Sequence, residues 1–446
     1  MKTIAWSLVL SVLGLGCSSR VGGDAPAPTA GGETGPDDAP SLASAVAPTW
    51  DGKGFVVHEW GTNTVVVGSD GSLLRGMHHE EEDLPSFVYD RMKQSAISVD
   101  VKMETPVTYF YSDTPRTVSV GVRFPKGIFS QWYPRVRGFF PGLPRTGTSY
   151  SDPYLDASFA YSSEICRQHM LTPENGMLDW GSVDVLSRDA AVSLPDAPID
   201  RYTWSFARQV EANPVRVGGS EAEKFLFYRG LGNLPMGVKI TDGGKKDLLH
   251  LENVDAMAPV GTVFILRVEA DRASFDVRAE GIAPGGELYD YAPPASLPLD
   301  AYVTKLADSM SEALERAGLF RDEARGMVNT WSRQWFKTPG VRVLYLAPQS
   351  WTDAQIPLSV TPTPDRTVRV MVIRNEVLMP EVEQADLEHA RAFDTDPTGA
   401  TSYFEAHGRF AEPRLRRALT LLGSTPAAAR TLLAKLEGPM VSSSTH

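Results

Sequence analysis

Residues 117–124 alternate without a break: Val118, Val120, Val122 and Phe124 fall on one side of an extended chain, and Thr117, Ser119 and Arg123 on the other. A period of two marks a strand with one face in a core and the other in water. Similar stretches recur between short Pro, Gly and Asp punctuation as far as about residue 290, which favours antiparallel sandwiches over βαβ units. Residues 107–111 precede that strand across Asp113-Thr114-Pro115 and are expected to pair with it as a hairpin. Asp70-Gly71 supplies turn chemistry between residues 65–67 and 73–74, and Asp271-Arg272 joins residues 263–268 to 274–277.

Near Asp300 the period changes. Val303, Leu306, Ala307, Met310 and Leu314 recur at helical spacing with Asp300 as N-cap, and Ala324, Met327, Val328, Trp331 and Trp335 repeat it until Pro339-Gly340 ends the run. Strands resume at residues 341–346 and 367–373. Pro413 opens a helix bearing Leu415, Ala418, Leu419 and Leu422, and Thr425-Pro426 opens another that ends at Gly438. The expected fold is α+β, a mainly antiparallel β-sandwich body with a C-terminal α-helical region.

The N-terminus is expected to direct the chain to the cell envelope. Lys2 and the apolar run of residues 4–15 have the anatomy of a secretory signal, since 12 apolar residues are too few for the roughly 20 that span a bilayer. Gly16 directly before Cys17 resembles a bacterial lipoprotein signal, in which cleavage frees a cysteine that then carries lipid. Acyl chains such as palmitate on Cys17 would anchor the body to the membrane, each buried CH2 contributing about 0.8 kcal/mol. Ser18 resembles the sorting residue of Gram-negative outer-membrane lipoproteins. The expected organisation is a signal peptide over residues 1–16, a Gly/Ala/Pro-rich disordered tether over 17–48, β-rich structure over 49–295, a mixed α/β region with C-terminal helices over 296–438, and a disordered tail over 439–446.

Composition removes some functions. Among 446 residues, 43 Lys and Arg face 55 Asp and Glu, a net charge of -12 without the cationic field that general nucleic-acid binding uses. With Cys17 lipidated, Cys166 has no internal partner. GxSxG, SxxK, HExxH, GxxxxGK[ST] and helix-opening GxGxxG motifs are all missing, which argues against ordinary versions of those enzymes. Without closely spaced cysteines, a zinc ribbon or thioredoxin-like site is excluded too.

Histidines and carboxylates concentrate early in the body, at His58-Glu59-Trp60, at His78-His79-Glu80-Glu81-Glu82-Asp83 and at Glu104. His58, His78, His79, Glu80 and Glu104 are the candidate ligands for a divalent metal. In a strand, His58 and Glu59 point to opposite faces, so only one of them can join the later cluster. The plainer expectation for residues 78–83 is a solvated acidic loop. Glu59 with Glu104 is a nominal carboxylate pair for glycoside cleavage, with Trp60, Trp132 and Tyr133 as stacking platforms. Cys166 with His169 is a nominal thiol–imidazole pair for nucleophilic catalysis. Phe225, Phe227 and Arg229 share one strand face and Leu226 and Tyr228 the other, so Arg229 ends a buried strand and needs an acceptor. Arg374 and Glu376, two residues apart behind Val368, Val370 and Val372, are placed for a same-face ion pair.

The wording VHEWGT at residues 57–62, METPV at 103–107 and FLFYRGLG at 225–232 resembles an uncharacterised family of bacterial secreted proteins and lipoproteins. The resemblance spans most of residues 50–380. It implies one evolutionary unit and carries no assigned activity. Asn63 departs from it, standing where an aromatic such as Phe is expected. The resulting expectation is a lipid-anchored envelope protein acting as a binding or scaffold module, with an envelope protein or glycan as ligand. The alternative is a metal-dependent hydrolase in the same compartment.

Overall fold

The computed structural model describes residues 49–90, 99–141, 173–333 and 335–438. The signal, the tether with Cys17, the Cys166–His169 segment and the tail lie outside them. The largest sheet has ten strands. In spatial order they are β16 (Leu297–Pro298), β14 (Arg272–Arg278), β13 (Val263–Val268), β17 (Gly340–Ala347), β19 (Arg366–Val377), β1 (Phe55–Val67), β3 (Val101–Ser112), β10 (Leu226–Gly232), β5 (Gly127–Tyr133) and β2 (Tyr89–Asp90). A second sheet runs β18 (Leu358–Thr361), β4 (Arg116–Phe124), β7 (Gly176–Val185), β8 (Val215–Val217) and β9 (Glu221–Glu223), with β6 (Gly138–Phe140) paired to β7. A third joins β11 (Val238–Asp242), β12 (Leu248–Asn253) and β15 (Glu287–Tyr291). Among the described ladders only β1 with β19 is parallel.

The helices are α1 (Leu299–Arg316), α2 (Arg321–Ser332), α3 (Gln349–Gln355), α4 (Pro380–Ala392), α5 (Pro397–Glu405), α6 (Ala411–Leu422) and α7 (Ala427–Glu437). The protein is thus α+β, mainly antiparallel, with its helices concentrated toward the C-terminus. None of the described helices is long and apolar enough to cross a membrane. Because β17 and β19 sit inside the large sheet, residues 49–295 and 296–438 share it.

Two cores use the two faces of this sheet. One face packs Val57, Val65, Phe110 and Ile373 against Val118, Val120 and Trp180 of the second sheet and Leu249 and Leu251 of the third. The other packs Trp60, Tyr109, Phe227, Leu344 and Val372 against α1, α2 and a 3₁₀ turn at Thr203–Gln209. A strand covered on both sides has no solvent face to keep polar. All 13 residues of β1 and all 12 of β3 are accordingly buried. α4 to α7 close a smaller core around Phe404, Leu415 and Leu432.

Several local expectations hold. The Asp70-Gly71 turn forms, with Gly68 N–H donating to the Ser72 carbonyl at 2.9 Å, and β13 pairs with β14 as a hairpin. The pairing expected across Asp113-Thr114-Pro115 does not occur. β3 pairs with β1 and β10, whereas β4 pairs with β7 and β18 in the other sheet. The reason lies in burial: β3 is covered on both faces and β4 on one, so the turn is a sandwich corner that carries the chain between sheets. Asp300 lies in the first turn of α1 rather than capping it, the N-cap being Pro298. α2 stops at Ser332, and Trp335 packs beyond its end on Trp331, ring centroids 4.3 Å apart.

Trp331, 1% exposed, ties α2 to the sheet. Trp331→Ala should lower the unfolding free energy by about 3–5 kcal/mol in equilibrium urea denaturation, while a loss below about 1 kcal/mol would contradict a core on that face.

Candidate functional site

Strand geometry separates His58 from Glu59, as their adjacency in β1 requires. His58 Nδ1 lies 2.8 Å from Glu323 Oε2 of α2, and both side chains are fully buried. Glu323 also accepts from the Tyr111 hydroxyl at 2.8 Å and from Phe320 N–H at 2.7 Å. On the opposite face Glu59 accepts from Arg369 of β19, from Thr108 Oγ1 at 3.0 Å and from the Tyr228 hydroxyl at 2.8 Å. Every lone pair that matters on these two carboxylates is already engaged.

Glu104 lies on the same face as His58 but further along the sheet. Thr64 Oγ1 donates to it at 2.7 Å and Arg409 pairs with it at 2.6 Å. Burial pushes its carboxyl up, but Arg409 and Arg374, with Lys102 and Arg229, outweigh burial and bring it down to about 2. Glu59 and Glu104 therefore face opposite sides of a sheet, each neutralised by arginine, and cannot flank a glycosidic bond. Trp60, Trp132 and Tyr133 are 0%, 1% and 5% exposed, core side chains rather than sugar platforms.

Residues 78–82 form a strap over the sheet. The expected solvated acidic loop is instead held by cations that point up from the strands. Glu80 pairs with Lys102 of β3 at 2.7 Å and Arg229 of β10 at 2.6 Å; Glu81 pairs with Arg374 of β19 and with Arg409, both at 2.8 Å. Glu376 lies 2.7 Å from Arg374 and 2.9 Å from Arg342. The same-face pair expected for Arg374 and Glu376 is thus present, and Arg229 finds its acceptor in Glu80. Lys102–Glu80–Arg229 and Glu104–Arg409–Glu81–Arg374–Glu376–Arg342 are two ion-pair groups that the adjacent residues Glu80 and Glu81 bring together as one belt.

Of the five candidate metal ligands, only His78 and His79 come together. Glu80 and Glu104 are taken by cations and His58 by Glu323. In their place stands Glu412 of α6, its Oε2 3.4 Å from His78 Nδ1 and 4.0 Å from His79 Nε2. Burial, then the neighbouring His79 and Lys102, hold His78 down at about 4; the Leu436 carbonyl only partly opposes them. Burial lowers His79 as well. Sequence spacing carried no signal for Glu412, which lies more than 300 residues from the histidines.

A surface cleft of about 460 Å³ opens beside α2, lined among others by Trp50, Tyr111, Arg188, Phe320, Arg321 and Arg325. Trp50 is half-buried, its ring centroid 5.9 Å from that of Tyr111 and 5.8 Å from the Arg188 guanidinium carbon. Arg325 is exposed and makes no hydrogen bond or ion pair among the described residues. Trp50 signals the start of the folded body in the sequence, but not a binding surface.

No protein-family model and no curated protein matches the chain. Among solved structures it aligns with the yeast delta-COP-I mu-homology domain at 8% identity, over 73% of this chain and 97% of that one, with a TM-score of 0.25. A likeness at that level carries no argument about fold or function.

Glu82 is half-buried at the edge of the belt and makes no hydrogen bond or ion pair among the described residues. Burial raises its carboxyl to about 7, with Arg229 opposing and Glu81 and Glu104 adding to the rise. A carboxyl with a higher pKa in the fold binds more protons there. Its contribution is whole below the ordinary value of 4.5 and is lost as pH rises through about 7. Glu82→Gln should raise the denaturation midpoint above wild type at pH 8 and leave it unchanged near pH 4. Equal midpoints at pH 8 would show that the carboxylate is solvated.

Proposed function

We propose that the chain is a lipid-anchored protein of the bacterial cell envelope, tethered at Cys17 to the outer membrane, whose β-rich body is a binding module for an acidic envelope glycan. The observation that carries the ligand reading is the Trp50 cleft. It sets aromatic surface beside Arg188, Arg321 and Arg325, of which Arg325 has no hydrogen bond or ion pair among the described residues. An aromatic face covers the apolar side of a sugar ring, and guanidinium groups take carboxylates or phosphates in bidentate geometry. The belt supports binding over hydrolysis, because its carboxylates are engaged by cations and have no free role as general acid and base. The anchor rests on the signal-like residues 1–16 before Cys17 and on the family resemblance of the VHEWGT, METPV and FLFYRGLG motifs.

Titrating the protein with lipopolysaccharide core oligosaccharide and, separately, with peptidoglycan glycan strands should give saturable binding to one of them by calorimetry. Trp50→Ala with Arg188→Ala should weaken it by about thirtyfold, the equivalent of about 2 kcal/mol for a central aromatic contact. Failure of the wild type to bind either glycan, or an unchanged Kd in the variant, would remove the glycan reading.

Cys17→Ser should shift the protein from the membrane fraction to soluble material on cell fractionation. A variant that stays with the membrane would disprove the lipid anchor.

A further inference from the structure

His78 and His79 lie in the strap over the large sheet, and Glu412 lies in the first turn of α6. One ligand atom from each of the three side chains lies within 4.8 Å of the others. Two nitrogen or oxygen donors on zinc at about 2.0–2.1 Å, at tetrahedral angles, stand about 3.3 Å apart. The separations of 3.4 and 4.0 Å to Glu412 Oε2 are therefore close to a coordination sphere before any ion draws them in.

The donors are also prepared for a ligand. Neither ring nitrogen of His78 makes a hydrogen bond, nor does Nε2 of His79, although these atoms have no exposed surface. Buried polar atoms are satisfied in the great majority of cases, so two imidazoles left this way at one point call for an explanation. Glu412 is fully buried, and Arg416 Nε donates to its Oε1 at 2.8 Å, which turns Oε2 toward the histidines. Gly76, at φ +116°, leaves room for this carboxylate, since a Cβ there would stand 2.8 Å from Glu412 Cγ.

We propose that His78, His79 and Glu412 form a site for one zinc ion, which clips the first turn of α6 to the strap over the sheet. Two imidazoles and one carboxylate suit zinc and its neighbours, while calcium and magnesium take all-oxygen sites. The side chain of His79 is 36% exposed, so the site lies near the protein surface. Zinc here joins segments more than 300 residues apart and adds a bond between the C-terminal helices and the body. The site shares no residue with the Trp50 cleft and stands whether or not that cleft takes a glycan.

Untagged full-length protein, purified in detergent and stripped with EDTA, should take up one zinc per chain on dialysis against zinc chloride and gain thermal stability as it does. His78→Gln with His79→Gln, and separately Glu412→Gln, should each weaken uptake by more than about tenfold, whereas His389→Gln should not. Cobalt(II) in place of zinc should give the strong visible absorption of a tetrahedral site in the wild type, a reading that does not depend on any variant folding. Absence of stoichiometric zinc in the wild type, weak octahedral cobalt bands, or uptake undiminished in both variants would overturn the proposal.

Discussion

The ionic belt between residues 78–82 and the large sheet is the constraint to which the rest of the structure answers. Taking a charge out of water costs several kcal/mol, and only close, well-directed partners repay it. Here the partners come from far apart in the chain. Glu104 is on β3, Arg374 and Glu376 are on β19, Arg342 is on β17, Arg229 is on β10, and Arg409 stands just before α6. Removing one member of such a network leaves its partner buried and uncompensated, at a cost of about 3–5 kcal/mol. The sheet, the strap and the C-terminal helices are therefore held in one arrangement by charges that none of them can satisfy alone.

That arrangement bears directly on chemistry. A carboxylate held by a buried cation is a poor proton donor and a poor metal ligand, and Arg369 holds Glu59, Lys102 and Arg229 hold Glu80, and Arg409 holds Glu104. What remains open lies outside the belt. The Trp50 cleft offers aromatic surface and cationic donors to solvent, and the two imidazoles against Glu412 keep ring nitrogens without hydrogen bonds. Asn63 is a further exception inside the protein. It is fully buried on the face opposite the belt, and neither atom of its amide finds a partner, an arrangement that costs about 1–3 kcal/mol. It is also the position where the family resemblance leads one to expect an aromatic ring, which would fill that space without unmet hydrogen bonds.

Local physics was legible wherever it acted between near neighbours. The strict alternation of residues 117–124 marked β4, the spacing of Arg374 and Glu376 marked their ion pair, and the position of Arg229 at the end of an apolar strand demanded an acceptor. The same reasoning failed where two candidate partners lay on neighbouring strands of chain but in different sheets. Residues 107–111 and 117–124 have the pattern of a hairpin, yet β3 is wanted in the centre of a doubly covered sheet and β4 in the outer one. Alternation describes the faces of a strand and contains nothing about which other strand those faces will meet.

The amino-acid sequence by itself determined the α+β character, the antiparallel preference, the helical C-terminal region and the opposition of His58 to Glu59, because each follows from the period of side chains along one segment. Only the tertiary structure decided which charges share a site. It turned Glu80 and Glu81 from a solvated run into the anions of a belt, sent His58 to Glu323 and Glu59 to Arg369, and set Glu412 against His78 and His79. Those choices depend on segments up to some three hundred residues apart meeting over one sheet face, where loss of water makes every unpaired charge too costly to leave alone.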